Sequence, residues 1–146
     1  MKTTFFALLI IAMAGIGWMG RSHLPAGKLI EIRSGEWPIL LEATVGRSDT
    51  AYSLQFRDVQ VLNSVVMDTL AFANTTQLKY FEKALTTLKV GHNGDIAKFS
   101  DYSIVRADKK YQGTWYLLKI KWGLTDFKQS EADMLVKTIR EIKINK

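Results

Sequence analysis

A chain of 146 residues is long enough for one domain and short of two, and its 47% apolar and 23% charged residues are the balance of a folded protein. It has no cysteine, which excludes a disulfide framework, a thiolate-held cluster and a thiol nucleophile, and two histidines, His23 and His92, do not make a histidine-rich metal centre. The formal charge is +6, from 20 Lys and Arg against 14 Asp and Glu.

Taken in chain order, Lys2 precedes an apolar run from Phe5 to Gly17, and Trp18, Met19, Gly20, Arg21 and Ser22 follow. A short positive region, an apolar stretch and a small-residue exit are the parts of a secretory signal. Two exits fit, Ala12-Met13-Ala14 and Gly20-Arg21-Ser22, and the mature chain is expected to start between Gly15 and Ala26. Read as an anchor instead, residues 3–20 reach only the lower limit for spanning a bilayer core of roughly 30 Å. Arg21, Lys28 and Arg33 behind the run would then hold the rest of the chain in the cytoplasm. A buried helix fits less well, because Phe5, Ala7, Leu8, Leu9, Ile10 and Ile11 leave no polar face. Residues 1–22 are therefore expected to be a signal peptide or a short anchor, and 28–146 one exported domain, periplasmic or secreted. Membrane contact would run through residues 3–20 if the segment is uncleaved.

Leu29 to Ile32 has the pattern of a short strand and Ser34-Gly35-Glu36 of a turn; Ile39 to Val45 fits a second strand or an apolar helix turn. Tyr52 to Asp58 and Val65 to Phe72 are rich in β-branched and aromatic residues, with Leu62-Asn63-Ser64 as their turn. Asn74-Thr75-Thr76 offers helix caps, and behind it Leu78, Phe81, Leu85 and Leu88 recur at helical spacing until Gly91 and Asn93-Gly94. The same order then returns. Lys98 to Ala107 reads as a strand, Lys109 to Gly113 as a turn, Thr114 to Trp122 as a strand and Leu124 to Phe127 as a short one. Ser130-Glu131-Ala132-Asp133 is close to a capping box, and Ala132, Leu135, Ile139 and Ile142 repeat the first helical set at an offset of 54. Tyr52-Ser53 and Tyr102-Ser103 match at an offset of 50.

These elements predict an α+β fold, a mainly antiparallel sheet with two amphipathic helices on one face and the spacing of an internal β-β-α duplication. The sheet-then-helix order over Tyr52 to Lys146 is similar to that of the single-strand-binding folds built from ββββα repeats, a likeness of topology without a shared motif. Within Trp115 to Trp122 the even positions, Tyr116, Leu118, Ile120 and Trp122, are wholly apolar and are expected against the helices. The odd positions, Trp115, Leu117, Lys119 and Lys121, are expected on the open face.

Charge is uneven: residues 22–76 carry four basic and six acidic side chains, and residues 77–146 carry fourteen basic and eight acidic. A cationic face drawing on Lys109, Lys110, Lys119, Lys121 and Lys128, with Trp115 among them, suits an anionic ligand with a planar or apolar part. An acidic glycan, a phospholipid head group or an acidic protein partner would satisfy it, and a merely solvated face carries the same residues. Trp115, Lys119, Lys121, Lys109 and Lys110 are the candidate ligand-binding residues.

Other motifs are weaker. His92 and Asp95 fall in a turn, and no G-x-S-x-G elbow supplies a serine. Gly15, Gly17 and Gly20 spell G-x-G-x-x-G inside the apolar leader, with no strand before them. Glu131 and Asp133 fit a helix N-terminus better than an acid–base pair, and the sequon Asn74-Thr75-Thr76 is also a cap. The expectation is a non-enzymatic binding or accessory protein of the cell envelope, with no cofactor and no metal. The alternative is an intracellular module for single-stranded nucleic acid, with bases stacked on Trp115 and phosphates on the lysines.

Overall fold

The β-branched and aromatic segments form two antiparallel sheets of four strands each in a computed structural model that describes residues 27–34 and 37–143. The leader at 1–22, with both of its exits, lies outside the described residues. The first sheet runs β1 (Gly27–Ser34), β2 (Trp37–Val45), β3 (Thr50–Arg57) and β4 (Met67–Phe72), and α1 (Thr75–Lys89) follows it. The second runs β5 (Ile96–Lys98), β6 (Tyr102–Lys109), β7 (Gly113–Ile120) and β8 (Leu124–Lys128), and α2 (Gln129–Glu141) follows. Each sheet is a meander in which every strand pairs with its neighbour in sequence. The class is α+β.

One mainly antiparallel sheet, with the spacing of a β-β-α repeat, was the expectation; the chain builds two sheets of four strands each. The ambiguous stretch from Leu29 to Val45 supplies β1 and β2. The single strand expected over Lys98 to Ala107 is broken by a tight turn, in which Phe99 N donates to Tyr102 O at 2.9 Å and the two rings stack 4.5 Å apart. Tyr52 thus lies on the third strand of its sheet and Tyr102 on the second of its own, so the offset of 50 joins unlike places.

Period-two burial sets the inner faces. Tyr52, Leu54 and Phe56 on β3 are buried with Ile39 and Leu41 on β2, Leu70 and Phe72 on β4, and Tyr116 and Leu118 on β7. They form one cluster with Leu78, Phe81, Leu85 and Leu88 of α1 and with Ala132, Leu135, Ile139 and Ile142 at α2. The Phe81 ring lies 5.4 Å from Phe72 of the first sheet and 5.8 Å from Tyr102 of the second, so α1 fills the space between them. Trp122, expected in this core, is 79% exposed. β7 ends at Ile120, and a turn closed by Ile120 N donating to Gly123 O at 2.9 Å carries Trp122 off the strand.

The Asn74 side chain caps α1 by accepting from Gln77 N at 2.9 Å, while Gln77 Oε1 accepts from Ala73 N at 2.8 Å. At α2 the box closes earlier than expected: Glu131 accepts from Lys128 N at 2.7 Å, which starts the helix at Gln129, ahead of Ser130. The helices are tied by Arg140 to Glu82 at 2.8 Å, by Lys89 to Asp133 at 2.8 Å, and by the Lys79 ammonium donating to the Ile139 carbonyl. Burial holds the Lys79 pKa below the usual lysine range.

The two sheets also meet directly. Asp58, buried at the end of β3, accepts from Gln60 N at 2.8 Å and from Leu124 N at 3.3 Å, and Val59 N donates to Leu124 O at 2.8 Å. The Asp68 carboxyl lies over Gly123, where a β-carbon would come within 2.0 Å of its Oδ2. Burial raises the Asp68 pKa, and the Asp58 carboxylate beside it adds to the rise. A carboxyl whose folded pKa exceeds its unfolded one holds its proton more tightly when folded, so its contribution to stability falls as pH rises between the two values. Asp68→Asn should therefore raise the melting temperature at pH 7, and that gain should vanish below the ordinary aspartate pKa. Thermal unfolding at pH 7 and pH 3 checks both limbs; an equal shift at both would place the effect in packing.

Candidate binding face of the second sheet

The outward residues of β7 are Trp115, Leu117 and Lys119, and strand register gives each its neighbours. Ala107, Trp115 and Lys128 form one cross-strand row; Ile96, Val105, Leu117 and Asp126 form the next; Lys98, Ser103, Lys119 and Leu124 form the third. The middle row is apolar up to Asp126 at its edge and half-buried except for the exposed Ile96, and lysines stand at both ends of the face. Lys109 belongs to it as well, paired in register with Gly113. The backbone of Gly113 has φ +78°, which suits glycine, and that position offers Lys109 no side chain to pack on.

Lys109 instead reaches the next outward residue. Its Nζ stands 3.8 Å from the centroid of the Trp115 ring, and it pairs with Asp126 at 3.4 Å. The Lys128 ammonium is 5.5 Å from the same ring. Attraction between a cation and the aromatic quadrupole holds both ammonium groups beside a half-buried indole, whose own Nε1 is buried with no hydrogen-bond partner. This changes the role expected of Trp115. A ring covered by a lysine 3.8 Å from its centroid positions cations and is not a free plane for stacking.

The five candidate residues do not all converge. Trp115, Lys109 and Lys119 share the face, with Trp115 and Lys119 about 13 Å apart along the strand. Lys110 sits in the β6–β7 turn, its ammonium 5.3 Å from the exposed Tyr111 ring. Lys121 lies beyond the end of β7, its ammonium 5.1 Å from the Trp122 ring. Both were expected on the cationic face with Trp115; β7 ends before the alternation reaches Lys121, Lys110 lies in the turn ahead of β7, and they stand at opposite ends of that strand.

Lys98 and Asp126 are members of the face that sequence reasoning did not single out. In one unbroken strand from Lys98 to Ala107, Lys98 would share the inward side of Ile104. The turn at 99–101 resets the phase and sets Lys98 opposite Ser103, on the outward side.

Elsewhere, the Asp95 carboxylate accepts from His92 N at 2.7 Å, and the 94%-exposed imidazole is 3.8 Å away at Nδ1. That is turn geometry. Among the described residues, no group of three or more His, Asp or Glu is placed to hold a metal ion, and no helix is long and apolar enough to cross a membrane. No protein-family model matches the chain, and no curated protein matches it significantly.

Proposed function

We propose that the chain is an exported, non-enzymatic binding protein of the cell envelope. It uses the outward face of its second sheet, with both helices packed on the inner side, to hold an anionic ligand that has an apolar part. The observation that carries this reading is the pair of ammonium groups, Lys109 and Lys128, held at Trp115 beside the half-exposed Val105, Leu117 and Leu124. The rows hold three lysines, Lys98, Lys119 and Lys128, and one carboxylate, Asp126, which pairs with the fourth lysine of the face, Lys109. An anion entering there would meet preplaced cations, and an apolar group would cover surface that water now wets. The outward side of the first sheet differs: Glu42 accepts from Gln55 at 2.9 Å among Thr44, Ser53 and Thr69, and Lys28, in register with Glu42, is paired with Glu31. A single-stranded nucleic acid is the weaker reading, because its bases would have to displace Lys109 from the indole.

The two halves are read as copies of one ββββα unit. The support is the strand count of each sheet and the burial of all four helix pairs at the offset of 54, Leu78 with Ala132, Phe81 with Leu135, Leu85 with Ile139 and Leu88 with Ile142.

The test uses anilinonaphthalene sulfonate, an anionic aromatic probe, titrated by fluorescence against the full chain. Joint replacement of Lys109 and Lys128 by alanine should weaken binding about tenfold at low salt, on the order of 1.4 kcal/mol, and the difference should shrink as salt screens the charges. Joint replacement of Lys110 and Lys83, exposed and off the face, should leave binding unchanged. Equal affinity in both double variants and the wild type would mean the face is only solvated.

A further inference from the structure

Six of the eleven exposed large apolar side chains among the described residues fall in two segments, Val59 to Met67 and the β7–β8 turn. Leu62 is 84% exposed and Trp122 79%, and Val59, Val65, Val66 and Met67 are exposed with them. The segments are far apart in sequence but joined at their base, through Val59 N to Leu124 O at 2.8 Å, Asp58 Oδ1 to Leu124 N at 3.3 Å, and the Asp68 carboxyl over Gly123. A patch of this kind marks an interaction surface, because water otherwise wets apolar area that folding could have covered.

Charge around the patch is one-sided. Lys121 holds its ammonium 5.1 Å from the Trp122 ring, and Lys119 and Lys98 stand in the cross-strand row nearest the turn. Asp58 is buried toward Leu124 N and the Asp68 carboxyl lies on Gly123, so both acids point into the base of the tip. Asp101, on the β5–β6 turn, is the exposed acid at this end of the sheet. From this placement we infer that the paired loops dock the protein on an anionic bilayer surface, with Leu62, Val65, Val66 and Trp122 entering the interfacial layer and the lysines at the headgroups.

The chemistry fits a bilayer better than a shaped partner. The apolar side chains stand on loops at strand ends, whereas a protein partner is best gripped where apolar anchors lie in packed pockets. An indole beside an ammonium matches the membrane interface, where Trp sits at headgroup depth and a lysine stem lies along the apolar layer with its charge in water. Anionic lipid then draws in the lysines. The tip shares Lys98 and Lys119 with the candidate face, but its apolar residues and Lys121 lie outside the Lys109–Trp115–Lys128 group, so it stands whether or not that group binds a ligand.

The test must read the tip itself, because the apolar leader can partition into lipid on its own. Full-length chain is mixed with phosphatidylglycerol–phosphatidylcholine vesicles in which part of the phosphatidylcholine is brominated, and tryptophan quenching is compared across variants. Wild type and Trp115→Phe should lose the same absolute fluorescence to the quencher, and Trp122→Phe distinctly less. Joint replacement of Leu62 and Val66 by aspartate should remove at least half of the quenching that Trp122 contributes. Pure phosphatidylcholine vesicles should give less than the anionic ones. Equal quenching of wild type and Trp122→Phe would overturn the inference, as would a Trp122-dependent self-association without lipid, which would assign the patch to a second copy of the chain. Leu62, Val66 and Trp122 are exposed and Trp115→Phe keeps an aromatic ring at its half-buried position, so the variants are expected to fold, and circular dichroism verifies it.

Discussion

Phe81→Ala is expected to lower the free energy of unfolding by about 3–5 kcal/mol, a large share of the roughly 5–15 kcal/mol that holds such a domain. Phe81 is fully buried on α1, and its ring touches Phe72 of β4 and Tyr102 of β6. Truncation removes the transfer energy of the ring and leaves a cavity between elements of two sheets, which cannot both relax to fill it. Tyr80, the neighbouring residue, points outward, and Tyr80→Ala should stay within about 0.5 kcal/mol. Leu85→Ala and Leu135→Ala, from the buried faces of the two helices, should each cost about 2–5 kcal/mol. Urea midpoints at constant slope measure all four. A change below about 1 kcal/mol for Phe81→Ala would mean that α1 does not hold the sheets together.

Arg106→Met should cost about 2–3 kcal/mol, in the range of hydrogen bonds made by a charged group. From β6 its Nη1 donates to the carbonyls of Leu88 at 2.9 Å and Lys89 at 2.7 Å, and its Nε donates to Asp108 at 3.0 Å. The last carbonyls of a helix have no partner within it, and they lie at the negative end of its dipole. Arg106 thus fastens the end of α1 to the second sheet by chemistry that the helix itself lacks. Arg106→Lys should recover less than half of the loss, because an ammonium cannot span two carbonyls and a carboxylate as a planar fork does. The same contact, followed by the Thr114 hydroxyl, holds the Asp108 carboxyl below the usual carboxylate range. A depressed carboxyl adds stability above its unfolded pKa and loses it as pH falls, so acid should narrow the gap between wild type and Arg106→Met. A gap that is unchanged from pH 7 to pH 2 would contradict the assignment.

What the sequence by itself determined is local. The spacing of Leu78, Phe81, Leu85 and Leu88, and of Ala132, Leu135, Ile139 and Ile142, marks the buried side of each helix, because a helix places residues three and four apart on one side whatever surrounds it. Alternation did the same for Tyr116 and Leu118 inward and for Trp115 and Lys119 outward, and Asn74 was legible as a cap. The tertiary structure decided everything that depends on where one segment stops and which segment lies beside it. A strand ending at Ile120 put Trp122 and Lys121 into a turn, and a turn at 99–101 moved Lys98 to the outward face. The register of β8 against β7 brought Lys128 to Trp115, and the Leu124 hydrogen bonds joined a loop and a turn far apart in sequence into one apolar tip. Covalent geometry carries a period only as long as its element lasts. Contacts across strands are selected by the packing of the whole chain, in which a single turn residue reverses the facing of all that follow.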